Sequence, residues 1–129
     1  MADINTQKIL VIEDEEPMRD ALHDTLTQEG YIVLTSENGQ EGIELALQEK
    51  PSLILMDIFM PKLDGLTMLQ QLRSDAWGKD VPVIILTNLN PDADATIKAI
   101  MDDKPAFYLI KSNVTLEGIV ENVKEVLNK

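Results

Sequence analysis

The sequence predicts an α/β fold: a (βα)5 sandwich of three layers with a parallel sheet in the middle. Two observations carry that expectation. Four short runs, Ile9-Leu10-Val11-Ile12, Leu53-Ile54-Leu55-Met56, Val83-Ile84-Ile85-Leu86 and Phe107-Tyr108-Leu109-Ile110, are unbroken and mostly Ile, Val and Leu. Strands buried on both faces of a parallel sheet have that composition. Between the runs, apolar residues recur at helical spacing, so strand-like and helix-like periods alternate along the chain.

Each element has its own signal. After the first strand, Pro17 stands where a first helical residue belongs. Met18, Ala21, Leu22, Thr25 and Leu26 mark one helix face, and Gly30 ends it. Tyr31 to Thr35 reads as a short second strand. Ile43, Ala46 and Leu47 give a second helix, closed by Pro51. The third strand leads into Met60-Pro61-Lys62-Leu63-Asp64-Gly65, where Pro and Gly break regular structure. Leu66, Leu69 and Leu72 follow at helical spacing. Pro82 stands at the mouth of the fourth strand, where a missing N–H is tolerated. Asn90 and Pro91 read as cap and first residue of a fourth helix, with Asp92 and Asp94 near its positive end and Ala93, Ile97, Ile100 and Met101 facing inward. Asn113 is placed to cap a last helix whose inner stripe is Leu116, Ile119, Val120, Val123 and Leu127.

Right-handed crossovers with helices on both sheet faces favour the flavodoxin-like strand order 2-1-3-4-5. The 129 residues fit one domain, residues 1–129, with 1–7 as a short tail. Hydrophobic content is 44%, no apolar run approaches a membrane span, and the N-terminus lacks a basic, apolar secretory signal. There is no cysteine, which excludes a disulfide framework, a thiol nucleophile and a Cys-based zinc site. A cytoplasmic location is expected. Net charge is −12, from 23 acidic and 11 basic residues. Such a surface repels nucleic acid and anionic lipid and suits a protein partner with a basic face.

The strand ends carry the chemistry. The first run ends on Glu13-Asp14, the third strand on Asp57, the fourth on Thr87 and the fifth on Lys111. In open α/β sheets ligands bind outside the carboxyl ends of the strands. In the order 2-1-3-4-5 these four strands are contiguous, and the edge strand carries no such residue. Three clustered carboxylates repel one another unless a cation compensates, and Mg²⁺ with oxygen ligands suits phosphate chemistry. Phosphoryl transfer needs an in-line nucleophile, a metal, and donors for the equatorial oxygens. Asp57, alone at its strand end, is the better nucleophile. Glu13 and Asp14, adjacent on one turn, are better placed as a metal cradle.

At these residues the chain resembles the receiver domain of two-component response regulators, from about Lys8 to the C-terminus. The matching motifs are Ile12-Glu13-Asp14-Glu15, Asp57-Ile58-Phe59-Met60-Pro61-Lys62-Leu63-Asp64-Gly65, Thr87, and Tyr108-Leu109-Ile110-Lys111. The resemblance implies a phosphoacceptor switch in a two-component system or phosphorelay, not an enzyme acting on external substrates. Asp57 would take a phosphoryl group from a phosphohistidine on a sensor histidine kinase or histidine phosphotransfer protein. Asp14, Asp57 and the backbone carbonyl of Phe59 would bind Mg²⁺ directly, and Glu13 through a water. Lys111 would pair with Asp57 and then with the phosphoryl group. Thr87 would swing toward the phosphoryl oxygen and Tyr108 turn inward, presenting the face of the fourth helix, fifth strand and last helix to a downstream protein. A stand-alone receiver is the leading expectation; a relay intermediate and a fragment of a longer regulator remain alternatives, which the sequence does not separate because the receiver takes up nearly all of it.

The sequence also departs from the family pattern. Ser112 follows Lys111 where receivers commonly carry Pro, so the loop there is expected to differ. Asn88 replaces the usual Ala or Gly and narrows access to the phosphoryl group. Phe59 and Leu89 are apolar where some receivers orient a hydrolytic water with polar groups, so loss of the phosphoryl group is expected to be slow. A lifetime no longer than that of a Phe59→Asn, Leu89→Glu double variant would contradict this. Tyr108 also reads as a simple sheet-packing aromatic, and Asp64 as a turn residue before Gly65. His23 falls on the outward side of the first helix, and Trp77 reads as local packing. Two other functions share the topology. A phosphohydrolase of the haloacid dehalogenase type would want a second Asp at the Phe59 position. An FMN carrier would want a Ser/Thr/Gly-rich loop where Glu13-Asp14-Glu15-Glu16 stands.

Overall fold

The structure, a computed structural model, describes residues 7–57, 65–87, 107–110 and 114–127. Along the chain run β1 (Lys8–Ile12), α1 (Glu16–Gln28), β2 (Ile32–Ser36), α2 (Gly39–Glu49), β3 (Leu53–Met56), α3 (Gly65–Ser74), β4 (Val83–Thr87), β5 (Phe107–Ile110) and α4 (Leu116–Leu127). The strands form one sheet in the order β2-β1-β3-β4-β5, and every pairing is parallel. This is the predicted order. The predicted loop Met60 to Asp64, the helix from Asn90 to Met101 and the Asn113 cap lie outside the described residues.

Two separate apolar cores make the three layers. Alternate strand residues Leu10, Ile12, Ile54, Met56, Val83 and Ile85 pack against Ile43 and Ala46 of α2 and Met68, Leu69 and Leu72 of α3. Their neighbours Ile9, Val11, Leu53, Leu55, Ile84 and Leu86 pack on the opposite face, against Leu22 and Leu26 of α1 and Ile119, Val120 and Val123 of α4. Side chains alternate across a strand with a period of two. A strand covered on both sides must therefore be apolar throughout, which is why these runs show no polar interruption.

The helix ends explain where the chain turns. α1 begins at Glu16, one residue before Pro17, and Pro17 falls in its first turn. At its other end Gly30 adopts φ 101°, and the N–H groups of Gly30 and Tyr31 donate to the carbonyls of Thr27 and Leu26. That is a Schellman motif, and its left-handed residue is best supplied by glycine. Asn38 caps α2, its Oδ1 accepting from Glu41 N at 2.9 Å. Lys50, at φ 47°, closes α2 in the left-handed region ahead of Pro51.

Two details of the helices come from the structure alone. Leu47, one of the three apolar residues whose spacing marks α2, is exposed. The buried side of that helix is Gly39, Gly42, Ile43 and Ala46. The last helix is capped by Thr115: Thr115 Oγ1 accepts from Gly118 N at 3.0 Å and its carbonyl from Ile119 N at 3.0 Å. Trp77 is partly buried against the α2–α3 core, as read, and His23 is exposed on α1.

Candidate functional site

Register builds the site. β1 and β3 lie side by side with Ile12 level with Met56. The next residue of each strand is an acid, so Glu13 and Asp57 emerge together at the carboxyl edge of the sheet. The backbone continues the ladder one step: Asp57 N donates to Ile12 O at 3.0 Å, and Glu13 N donates to Ser36 O, at the end of β2, at 3.0 Å. Asp14, on the turn that follows, is exposed, whereas Glu13 and Asp57 are buried. One carboxylate oxygen from each of Glu13, Asp14 and Asp57 falls within 4.8 Å of the others.

The turn carrying the first two acids is tied from several sides. Glu13 Oε2 accepts from Glu15 N at 3.1 Å. From the first turn of α1, Arg19 Nη1 donates to the carbonyl of Glu13 at 3.0 Å and reaches the carbonyl of Asp14 at 3.5 Å. Its Nη2 stands 4.0 Å from Glu37 on the β2–α2 connection. Ser36 and Asn38 hold that connection, Ser36 Oγ donating to Asn38 O at 2.8 Å. Neither Arg19 nor Ser36 belongs to an apolar pattern or a strand-end motif, so sequence reasoning passed over both. A long cation one helical turn beyond an acidic turn is the signal that could have found Arg19.

The other expected site residues are placed in part. Thr87 closes β4, level with Ile110, the last residue of β5. The side chains of Thr87 and Tyr108, and the whole of Phe59, Lys111, Ser112, Asp64, Asn88 and Leu89, lie outside the described residues. Three carboxylates this close, two of them buried, form an all-oxygen donor set. That set fits a hard divalent cation with near-octahedral oxygen coordination.

Comparison with known proteins gives the family. The profile of the response regulator receiver domain matches residues 9–124. The chain belongs to the response regulator receiver family. This receiver is 42% identical over 88 residues to the transcriptional regulator ycf27 of Guillardia theta, a match covering 68% of the chain and 34% of that regulator. It therefore spans about a third of the length of the ycf27 regulators it matches. It is 41% identical over 87 residues to protein PilH of Pseudomonas aeruginosa, covering 67% of the chain and 72% of PilH. Its fold superposes with a TM-score of 0.85 on the receiver domain of a sensor histidine kinase from Pseudomonas aeruginosa, at 24% identity and with coverage of 96% and 99%. That structure was solved with a magnesium ion coordinated in its active-site cleft. Among the described residues of this receiver, no helix is long and apolar enough to cross a membrane.

Proposed function

We propose that this receiver is a phosphorylation switch whose acceptor is Asp57. The convergence of the Glu13, Asp14 and Asp57 carboxylates within 4.8 Å supports the reading above any other observation. An oxygen of the Asp57 carboxylate attacks the phosphorus of a phosphohistidine on a sensor histidine kinase or histidine phosphotransfer protein. The P–N bond breaks, its electron pair stays on the imidazole, and an acyl phosphate forms on Asp57. Asp14, Asp57 and the carbonyl of Phe59 would hold Mg²⁺, with Glu13 acting through a water. When bound, the ion supplies charge for the equatorial phosphoryl oxygens and alignment for the in-line displacement.

The chain's own groups do the rest. Burial of Asp57 keeps bulk water from competing for the carboxylate that must attack. Lys111, first residue past β5, pairs with Asp57 and then with the phosphoryl group, and Thr87 donates its hydroxyl to a phosphoryl oxygen. Tyr108 turns inward as Thr87 moves, shifting the face of the predicted Asn90–Met101 helix, β5 and α4 toward the form a downstream protein binds. Reversing a 1:99 population requires a bias of about 5.5 kcal/mol. The family assignment sets aside the phosphohydrolase reading, and turnover of external substrates is not part of this proposal.

Incubation with Mg²⁺ and acetyl phosphate, followed by intact-mass measurement, tests it. Wild type should carry one phosphoryl adduct and Asp57→Asn none. An adduct of equal yield on Asp57→Asn would place the acceptor elsewhere.

A further inference from the structure

We infer that Arg19 is a positioning residue for the metal site, acting through the backbone of Glu13 and Asp14 and not through the phosphoryl group. The inference rests on the proposed reading of the acidic cluster as the Mg²⁺ site. Its basis is the way the turn is held. Glu13 is gripped at both ends of its residue: its N–H is bonded to Ser36 O, and its carbonyl accepts from Arg19 Nη1 at 3.0 Å. The same nitrogen reaches the Asp14 carbonyl at 3.5 Å, a weak contact that leans the guanidinium over two successive peptide units.

The direction in which a carboxylate leaves the chain is set by its own backbone. Rotation of the peptide between Glu13 and Asp14 would therefore swing both acids relative to Asp57. That peptide's carbonyl is the one Arg19 holds. The donor is charged, which strengthens the bond, and the Arg19 side chain is only 16% exposed, so water competes poorly for the carbonyl. Arg19 N also donates to Glu15 O at 2.9 Å, in the first turn of α1. The guanidinium thus springs from a segment that is itself anchored to the turn it braces. The reach to Glu37, at 4.0 Å and with Glu37 65% exposed, is a rim contact and contributes little.

A preformed donor set binds a small octahedral ion more tightly than one that must be ordered by the ion. Residues that orient metal ligands typically contribute 10- to 100-fold to metal affinity. Because Arg19 also brings positive charge near the site, the clean variant is Arg19→Lys, which keeps the charge but, ending on a shorter stem, loses the reach of the guanidinium Nη1 to the Glu13 carbonyl. The experiment is calorimetric titration of unphosphorylated protein with Mg²⁺, paired with the Mg²⁺ dependence of phosphorylation by acetyl phosphate. Thermal unfolding of each variant is recorded alongside.

For Arg19→Lys the expected result is an Mg²⁺ dissociation constant weakened about tenfold, a matching rise in the Mg²⁺ concentration for half-maximal phosphorylation, and an unchanged rate at saturating Mg²⁺. Glu37→Gln should bind Mg²⁺ as wild type does. An Arg19→Lys affinity within twofold of wild type overturns the inference, even where thermal stability falls, since that would be a purely structural role. Equal weakening in Glu37→Gln also overturns it, by moving the effect to the rim pair. Failure of the underlying reading looks different: wild type itself would bind no Mg²⁺, or bind it equally well as Asp14→Asn, and the inference would fall with it.

Discussion

Gly42 lets α2 lie close against Ile12 of β1, and replacing it with alanine sets two effects of known size against each other. A Cβ at this position would stand 2.6 Å from Ile12 Cδ1, 3.0 Å from Cγ1 and 3.2 Å from Cγ2. Moving the Cδ1 methyl alone does not relieve all three contacts, so the whole side chain must shift. Ile12 is completely buried and branched at Cβ, with little room to rotate. Overpacking of this kind costs about 1–3 kcal/mol. Against it, Gly→Ala in a helix interior is worth about 1 kcal/mol. Taking the middle of the first range leaves a net loss of about 1 kcal/mol. For a urea slope of about 2 kcal/mol/M the unfolding midpoint then falls by about 0.5 M.

A double-mutant cycle separates the two effects. Ile12→Val removes Cδ1 and costs about 0.5–1.5 kcal/mol in a well-packed core. In the Gly42→Ala background the same change removes the tightest of the three contacts, so its cost should shrink by at least about 0.5 kcal/mol. A raised midpoint for Gly42→Ala, together with additive behaviour of the pair, would refute the reasoning. It would show that α2 moves away from β1 at no cost.

Two further outcomes follow from particular contacts. Thr115→Ala removes the hydroxyl that accepts from Gly118 N at 3.0 Å, and should lower stability by about 1 kcal/mol in a urea melt; no change would mean that another group caps α4. The alkaline limb of stability should depend on Tyr31 and Lys124. Burial, aided by Glu29 and opposed by Lys124, holds the Tyr31 hydroxyl above its ordinary 10.0. Lys124 is raised above 10.5, first by its hydrogen bond to Glu29, Nζ to Oε1 at 2.6 Å. Both shifts are upward, so the folded protein holds these protons more firmly than the unfolded chain. The stability they lend is complete below about pH 10 and is lost as pH rises through the folded values. Tyr31→Phe should flatten that limb in urea melts taken across alkaline pH, and an unaltered limb would remove Tyr31 from the effect.

Much of the architecture was legible before any coordinates. The runs at Leu53–Met56 and Phe107–Ile110 coincide with β3 and β5, and the run Val83–Leu86 lies within β4. A strand buried on both faces leaves an unbroken apolar signature that no helix of similar length imitates between turn residues. Helix faces were less legible. Leu47 follows Ile43 by four residues and fits the helical period, yet it is exposed. Periodicity gives a stripe's spacing but not its width, and Gly39 and Gly42 let the other edge of α2 sit against the sheet. The cap of α4 was less legible, because Asn113 and Thr115 are both good capping residues and only the fold shows that the Thr115 hydroxyl meets Gly118 N.

The amino-acid order alone specified which residues stand at the carboxyl ends of the buried strands, because burial on two faces is a local, repeating property of the chain. That placed Glu13, Asp14 and Asp57 at one edge of the sheet. Their closeness is non-local. It arises from the parallel pairing that sets Ile12 beside Met56, which depends on crossovers and on the packing of two cores. The same holds for Arg19, whose value lies in the peptide its guanidinium reaches once α1 folds back over the turn. Contacts of that kind are decided by packing geometry, and no spacing along the chain encodes them.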